Sequence, residues 1–321
     1  MPIRPFHAIA LAFSLFVSSA HAVYPDKPVR LVVPWAPGGS SDAVARAVAQ
    51  RMTDSMGQSV VVDNRSGASG RIGTEVAAKS LPDGYTIAIV ELPHAIAPAV
   101  FVKMPYDLVK DFAPISMLGT SPLMLFVNAS QYRNGDIKAF LNNGRSAGVP
   151  MALAHSGNGS ISHLSAELMA AATGIKINPI PYRGSAPALT DVAASQVAGH
   201  FSTLASASSL LAAGKVSALM VTGAARIASL PDVPTTAESG IQGMQFNQWW
   251  ALVAPAATPP EILDRLNKET LAALAHPATR ERLTSLGIDL KGSTRESLGT
   301  FIRSEVTHWG SVVQKAGLTP E

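Results

Sequence analysis

Cysteine is absent from all 321 residues. This absence excludes disulfide bonds, cysteine-ligated metal sites and a lipid-modified N-terminal cysteine. The eight histidines are scattered, and none stands in an HxH or HxxxH spacing, so the sequence offers little support for a zinc site. The phosphate-binding patterns GxGxxG and GxxxxGK[ST] are also missing. We therefore expect no metal and no cofactor.

Charge is sparse and dispersed along the chain. Charged residues make up 15% of it, the formal net charge is +3, and Lys and Arg form no cluster. Because a nucleic-acid-binding surface needs a basic patch, we expect no nucleic-acid partner. Apolar residues at 47% are typical of an ordered globular protein. No run after the N-terminal segment approaches the roughly 20 apolar residues that a membrane-spanning helix needs.

The first 22 residues have the composition of an export signal. Arg4 supplies a positive charge, residues 8–17 are apolar, and Ala20-His21-Ala22 has the small residues of a cleavage site. We predict a signal peptide over residues 1–22, cut after Ala22. The apolar run is too short for a membrane anchor.

The stretch Leu31–Arg46, LVVPWAPGGSSDAVAR, reads as a buried strand, a Pro-Gly-Gly turn and the start of a helix. The first N–H groups of a helix have no partner inside the helix and carry partial positive charge, so such a junction can bind an anion. The negative charge of Asp42 would be stabilising at the positive N-terminus of this helix, whether or not a ligand binds there. Trp35 is predicted either in the core or on the wall of a cleft.

A second junction of this kind spans Ala152–Met169. It combines a strand, the loop Ser156-Gly157-Asn158-Gly159-Ser160 and a helix that ends at Gly174. Strands and helices alternate in both halves of the chain, which predicts the α/β class. We place one lobe at residues 23–122 plus 249–321 and a second at 123–248. Two facing junctions would then grip a ligand between the lobes.

Ser160 and His163 leave two alternatives open. They are three residues apart and could form a hydrolytic pair, but the loop lacks GxSxG and a serine at a helix start is more often a cap. His163 is predicted either to bond to the backbone or to line the pocket. We predict no catalytic residue, and a secreted serine hydrolase is the weaker alternative.

Seven segments in order resemble the signatures of the Bug family, the extracytoplasmic substrate-binding receptors of tripartite tricarboxylate transporters. The resemblance runs from Tyr24 almost to the C-terminus. The segments are YPDKPVRLVVPWAPGGSSDAVAR, LPDGYTIAI, MPYDLVKDFAPIS, GNGSISHLSAEL, PYRGSAPALTDV, LPDVPTTAESG and APAATPPEILDRLN.

This resemblance implies a two-lobed periplasmic-binding-protein-like fold with a cleft between the lobes, in which backbone amides hold a small carboxylate. It implies a periplasmic, monomeric receptor that presents its ligand to membrane transporter subunits or to a sensor protein. The ligand-binding residues that it implies are Trp35, Ala36, Gly38, Gly39, Ser40 and Asp42 in the first lobe, with Ser156, Gly157, Gly159, Ser160, His163, Tyr182 and Gly184 in the second.

Two departures from the family pattern bear on the ligand. Glu91-Leu92-Pro93 precedes His94 where relatives carry small hydroxyl residues, and Phe201-Ser202-Thr203 replaces Phe-Asp-Asn. We therefore add Glu91, His94 and Ser202 to the candidate ligand-binding residues. Glu91 could pair with a donor on the ligand, repel a second carboxylate, or face solvent.

Overall fold

The computed structural model describes residues 24–315, so the predicted signal peptide lies outside the described residues. The strands are β1 (Val29–Val33), β2 (Val60–Asn64), β3 (Thr86–Glu91), β4 (Phe112–Pro122), β5 (Met124–Asn128), β6 (Met151–His155), β7 (Ile177–Pro181), β8 (Gly199–Ser202), β9 (Val216–Val221), β10 (Asn247–Pro255) and β11 (Asp289–Leu290). The α-helices are α1 (Ser40–Met56), α2 (Arg71–Ala78), α3 (Leu92–Val100), α4 (Ile137–Ser146), α5 (Ile161–Thr173), α6 (Ser185–Ala193), α7 (Leu204–Ala212), α8 (Pro260–Ala275), α9 (Pro277–Ser285) and α10 (Arg295–Lys315).

These elements form two sheets. The first sheet has the order β11-β4-β10-β3-β1-β2, and the second has the order β7-β6-β8-β5-β9. Strands β1, β2 and β3 are parallel, while β10 is antiparallel to both β3 and β4. The predicted α/β class is therefore confirmed. The first sheet is built from both ends of the chain, and the second from its middle.

The first β-α-β unit follows its hydrophobic pattern. Val44, Val48 and Met52 recur every fourth residue, which places them on one face of α1, and all three are fully buried against the first sheet. Gly57 ends α1 with φ 70°, a conformation that glycine adopts without strain, and its N–H donates to Thr53 O at 3.2 Å.

Helix α3 was not predicted, since its prolines suggested an irregular connection. Pro93 stands in the first turn, where a missing N–H costs nothing, and Pro98 comes only two residues before the end of the helix. Leu92 and Ile96 are fully buried. Burial of this apolar face therefore stabilises the helix despite its two prolines.

The sequence also predicts a strand at residues 197–204, which is partly wrong, and a helix with Ile72 and Val76 on one face, which is confirmed. The strand expected at residues 197–204 ends at Ser202, and α7 begins two residues later. Ile72 and Val76 do share a face of α2, but this face is the outer one, with Ile72 50% exposed. The inner face carries Thr74 and Ala77, because small side chains let α2 lie close to the first sheet.

The C-terminal helices pack on the first sheet. The sequence predicts capping boxes at residues 258–261 and 293–296, and only the second resembles the cap that forms. The N-cap of α8 is Pro259, and the Thr258 hydroxyl donates instead to Pro255 O at 2.7 Å. At the start of α10, Thr294 Oγ1 accepts from the Ser297 amide at 3.2 Å. Helix α9, between them, was not predicted.

The chain crosses between the sheets twice, and Thr222 joins the two crossings. Its hydroxyl accepts from the Leu123 amide at 2.9 Å and donates to Phe246 O at 2.8 Å. Leu123 lies in the outgoing crossing and Phe246 in the returning one, so a fully buried threonine ties them together. The exact lobe boundaries remain a prediction. No helix within residues 24–315 has the length and apolar character of a membrane span.

Candidate functional site

A cavity lies between the two sheets and is lined by residues of both halves of the chain. Eight predicted residues line it: Trp35, Ala36, Gly39, Ser40, Glu91, Ser156, Gly184 and Ser202. Thirteen further residues line it that were not among the candidate ligand-binding residues: Pro37, Ser41, Pro93, Leu123, Ile161, Ser162, Ser185, Ala186, Pro187, Phe201, Thr203, Ser206 and Gln248.

The first wall is the N-terminus of α1. Gly38 has φ +88°, which turns the chain after β1, and Gly39 is the N-cap with no side-chain cap on the helix. The first amides of α1 therefore have no acceptor within the helix. One of them, the Ser40 N–H, donates to Ser206 Oγ at 3.2 Å. Since Ser206 belongs to α7, this bond joins the two halves across the cavity.

Asp42 shapes this wall from behind and does not line the cavity. Its carboxylate accepts from the Gly38 amide at 3.1 Å, from Arg46 Nε at 2.9 Å and from Asn64 Nδ2 at 3.1 Å. Burial alone would raise the pKa of Asp42, but the hydrogen bonds from Arg46, Gly38 and Asn64 outweigh it and hold the pKa below its usual value. Asp42 and Gly38 are therefore framework residues of the loop.

The opposite wall is formed mainly by α6 and α7. Gly184 turns the chain into α6 with φ +118°, and neither Gly184 nor Thr203, the N-cap of α7, provides a side-chain cap. Ser185 and Ala186 form the first turn of α6 and line the cavity. Their N–H groups, like those of the first turn of α7, lack intrahelical acceptors.

The Ser156–Ser160 loop was predicted to offer its amides to the ligand, but three of these amides are bonded within the loop or to side chains at the start of α5. The Ser156 N–H donates to Ser162 Oγ at 2.9 Å, and the Ser160 N–H donates to Gly157 O at 3.1 Å. The Gly159 N–H donates to His163 Nδ1 at 3.3 Å. Of this loop only Ser156 reaches the cavity.

Ser160 is the N-cap of α5. This agrees with the observation that a serine at a helix start is more often a cap than a nucleophile. Ser160 is fully buried, and its Oγ accepts from the His163 amide at 3.3 Å and bonds to Ser162 Oγ at 3.0 Å. Because His163 Nδ1 accepts from Gly159 and its ring stacks on His155 at 4.4 Å, the predicted pair has no hydrolytic arrangement. Neither Ser160 nor His163 lines the cavity.

Glu91 is buried at the floor of the cavity, which rules out the alternative that it faces solvent. It ends β3, is 2% exposed, and accepts from Ser41 Oγ at 2.8 Å and from Gln248 Nε2. Trp250 Nε1 in turn donates to Ser41 Oγ at 3.1 Å. Burial raises the pKa of Glu91 to about 8, against the opposing effect of these hydrogen bonds. Glu91 is therefore predominantly neutral near pH 7.

His94 lies behind Glu91 and does not line the cavity. Its Nδ1 accepts from the Glu91 amide at 3.0 Å, which places the ring proton on Nε2, 2.8 Å from Thr74 Oγ1. Thr74 Oγ1 donates to Gly70 O at 2.9 Å. Burial lowers the pKa of His94 to about 4. This neutral imidazole fixes the junction of β3, α2 and α3.

Three buried polar atoms of cavity-lining residues have no hydrogen-bond partner among residues 24–315: Trp35 Nε1, Ser202 Oγ and Gln248 Oε1. Unpaired buried polar groups are rare in folded proteins, so a cluster of three at one cavity is typical of a ligand site. In the described chain no Lys, Arg or His side chain lines this cavity. Within the same residues, no group of three or more His, Asp and Glu side chains could hold a metal ion.

The remaining predicted residues fall outside the main cavity. Gly157 and Tyr182 line a neighbouring cavity that Trp35 and Ser156 also border. The Tyr182 hydroxyl donates to Asp191 Oδ2 at 2.6 Å. Gly38, Asp42, His94, Gly159, Ser160 and His163 border neither cavity. We therefore do not propose that these six residues contact the ligand.

Residues 44–318 match the model of the tripartite tricarboxylate transporter family receptor. The chain belongs to this family. Protein BugT of Bordetella pertussis is 35% identical to the chain over 296 residues, which are 92% of this chain and 90% of BugT. These matches confirm the family resemblance that the sequence motifs carried.

Solved structures agree with the family match. The periplasmic binding protein BugD aligns with a TM-score of 0.88 and 33% identity, covering 93% of this chain and 100% of that one. R. palustris Rpa4515 with adipate aligns with a TM-score of 0.87 and 34% identity, covering 93% of this chain and 100% of that one. The two-lobed periplasmic-binding-protein fold is thereby confirmed, and the chain is a periplasmic solute-binding receptor by family.

Proposed function

We propose that this receptor captures a small organic carboxylate in the cavity between its lobes. The observation that carries the proposal is the convergence of α1, α6 and α7, whose N-termini all lack side-chain caps, on one cavity. A helix N-terminus offers N–H donors and partial positive charge, so three of them favour a carboxylate even where no basic side chain is present. The adipate in Rpa4515 supports the same ligand class.

The binding residues that we propose are those of the prediction that line the cavity, together with the first turns of α6 and α7. The lobes are residues 23–122 plus 249–321 and residues 123–248, and they close about the two crossings that Thr222 joins. Closure removes water from the cavity, which strengthens each hydrogen bond to the carboxylate.

The protein has no catalytic activity of its own in this proposal. Ser160 caps a helix, and His163 Nδ1 is engaged by the Gly159 amide, so neither is free to act on a bound acid. The ligand leaves unchanged and passes to membrane subunits of a tripartite tricarboxylate-type transporter. The receptor acts as a monomer in the periplasm, after export by the signal peptide that we place at residues 1–22.

A binding and recovery experiment tests this function. The mature protein, purified under native conditions, is screened by thermal shift against C3 to C8 mono-, di- and tricarboxylates, and hits are titrated by calorimetry. We expect binding at one site per chain and quantitative recovery of the unchanged acid by mass spectrometry. Turnover of the acid, or binding of no carboxylate in the panel, would contradict the proposal.

A further inference from the structure

The floor of the cavity presents a hydrogen-bond acceptor that nothing in residues 24–315 satisfies. Gln248 stands on β10 and Glu91 on the neighbouring strand β3, and both line the cavity. Gln248 is 4% exposed, so its amide has almost no access to bulk water. Its Nε2 donates to Glu91 Oε2. The atom left over is Gln248 Oε1, which has no partner.

The donors around Gln248 are already in use. The Ser41 hydroxyl donates to Glu91, and the Trp250 indole donates to Ser41. This part of the cavity therefore offers a ligand an acceptor, whereas the helix N-termini of α1, α6 and α7 offer donors. The site has two chemically different ends.

A second carboxylate would fit the floor poorly. It would place a negative oxygen beside the unpaired Gln248 Oε1, with no Lys, Arg or His among the described lining residues to compensate. An N–H or O–H group of the ligand would instead satisfy the unpaired acceptor. Because burial keeps Glu91 neutral near pH 7, the floor has no counter-charge that would favour an ammonium group.

We propose that the ligand is a monocarboxylate whose far end carries an uncharged hydrogen-bond donor, an amide or a hydroxyl group, that bonds to Gln248 Oε1. This inference rests on the proposed function and specifies its ligand class. In this respect the chain differs from Rpa4515, whose adipate carries a carboxylate at each end.

Matched ligands test the proposal without changing the protein. Calorimetry at pH 7 compares succinate with succinamate, glutarate with glutaramate and adipate with adipamate, since each monoamide has the shape of its diacid. The corresponding ω-amino acids form a third series. At the chain length that binds best, we expect the monoamide to bind at least tenfold more tightly than the diacid and the amino acid.

Each outcome separates this inference from the proposed function. A diacid or an amino acid that binds more tightly than its monoamide overturns the inference and leaves carboxylate capture intact. No binding in any series overturns both.

A pair of variants then locates the preference. Gln248→Met keeps the length of the side chain and removes the acceptor, so the ratio of monoamide to diacid affinity should fall at least tenfold. Ser185→Ala, on the opposite wall, should lower both affinities and leave their ratio unchanged. An unchanged ratio in Gln248→Met would show that a group other than Gln248 distinguishes the monoamide from the diacid. Circular dichroism checks that both variants fold.

Discussion

Gly157 and Ser69 touch across the mouth of the cleft so closely that a Cβ on Gly157 would stand 2.6 Å from Ser69 Oγ. The Ser69 hydroxyl donates to Asn158 O, although 89 residues separate the two in sequence. Ser69 also has φ +55°, an unusual conformation for a residue other than glycine. The loop that carries Ser69 and the loop that carries Gly157 and Asn158 are therefore in direct contact.

Gly157→Ala should hinder closure. The added methyl group would lie well inside van der Waals distance of Ser69 Oγ, so either Ser69 rotates and loses its bond to Asn158 O or the two loops move apart. We expect the affinity for the best acid of the carboxylate panel to fall at least tenfold by calorimetry. Small-angle scattering should show less compaction on addition of that acid.

The control for this variant is Gly148→Ala. Gly148 also has a positive φ of +67°, but a Cβ there meets no atom within 4 Å. It places an alanine at a positive φ, although a less strained one than the +122° of Gly157, without the contact between the loops. Equal losses of affinity in the two variants would mean that strain, not closure, is responsible.

Ser206→Ala should weaken ligand binding without unfolding the protein. It removes the acceptor of the Ser40 amide, a bond that spans the cavity. A hydrogen bond of this kind contributes about 0.5 to 1.5 kcal/mol, which corresponds to a loss of roughly 2 to 12 fold in affinity. Ser208→Ala is the matched control, because Ser208 Oγ donates to Ala205 O within the same helix. Calorimetry on both variants should show a loss only in Ser206→Ala.

The sequence was sufficient to predict the first wall of the site. The alternation of strand, Pro-Gly-Gly turn and apolar-periodic helix is local, so it predicted β1, α1 and the exposed first amides of α1 correctly. The same pattern of strand, Gly/Ser loop and helix predicted that the amides of the Ser156–Ser160 loop bind the ligand. There it failed, because Ser162 Oγ and His163 Nδ1, at the start of α5, accept from the Ser156 and Gly159 amides of the loop.

Other parts of the site depend on contacts that no local pattern encodes. Gln248 enters the floor because β10 returns from the second lobe and pairs with β3, 157 residues away from Glu91 in sequence. Thr203 fell within residues 197–204, which were predicted as a strand, and helix α7, which carries Ser206, was not predicted. The Gly184-Ser185 pair has the same Gly-Ser pattern before a helix as Gly39-Ser40, so the sequence does indicate the start of α6 as part of the site.

Glu305 should contribute to stability far from the site. Its Oε2 accepts from Trp249 Nε1 at 2.8 Å and from Trp309 Nε1 at 3.1 Å, which ties α10 to β10. Both indoles are buried, at 2% and 3% exposed, so Glu305→Ala would leave two donors without a partner. We expect a loss of about 2 to 4 kcal/mol in the free energy of unfolding.

Glu305→Gln keeps an acceptor oxygen and should lose less than half as much in a urea titration. Equal losses in the two variants would show that the carboxylate charge, not the hydrogen bonds to Trp249 and Trp309, carries the effect. Ligand affinity should change little in either variant, since Glu305 does not line the cavity.

Glu91→Gln should change how stability depends on pH. Burial raises the pKa of Glu91 from 4.5 to about 8, so between these values the folded state holds a proton that the unfolded state has lost. The contribution of Glu91 to the free energy of unfolding is therefore fully present below about pH 4.5 and declines as the pH rises to about 8. Glutamine cannot ionise and still accepts from Ser41 and Gln248.

The difference in unfolding free energy between Glu91→Gln and the natural protein isolates this effect. His94, His155 and His200, whose pKa values burial lowers to about 4, titrate in both proteins and cancel. In urea titrations from pH 5 to 9, the variant should gain relative stability with rising pH, by at most about 1.4 kcal/mol per unit, and the gain should level off above pH 8. A difference that does not vary with pH would mean that Glu91 keeps an ordinary pKa in the folded protein, and the neutral floor of the cavity would then lose its support.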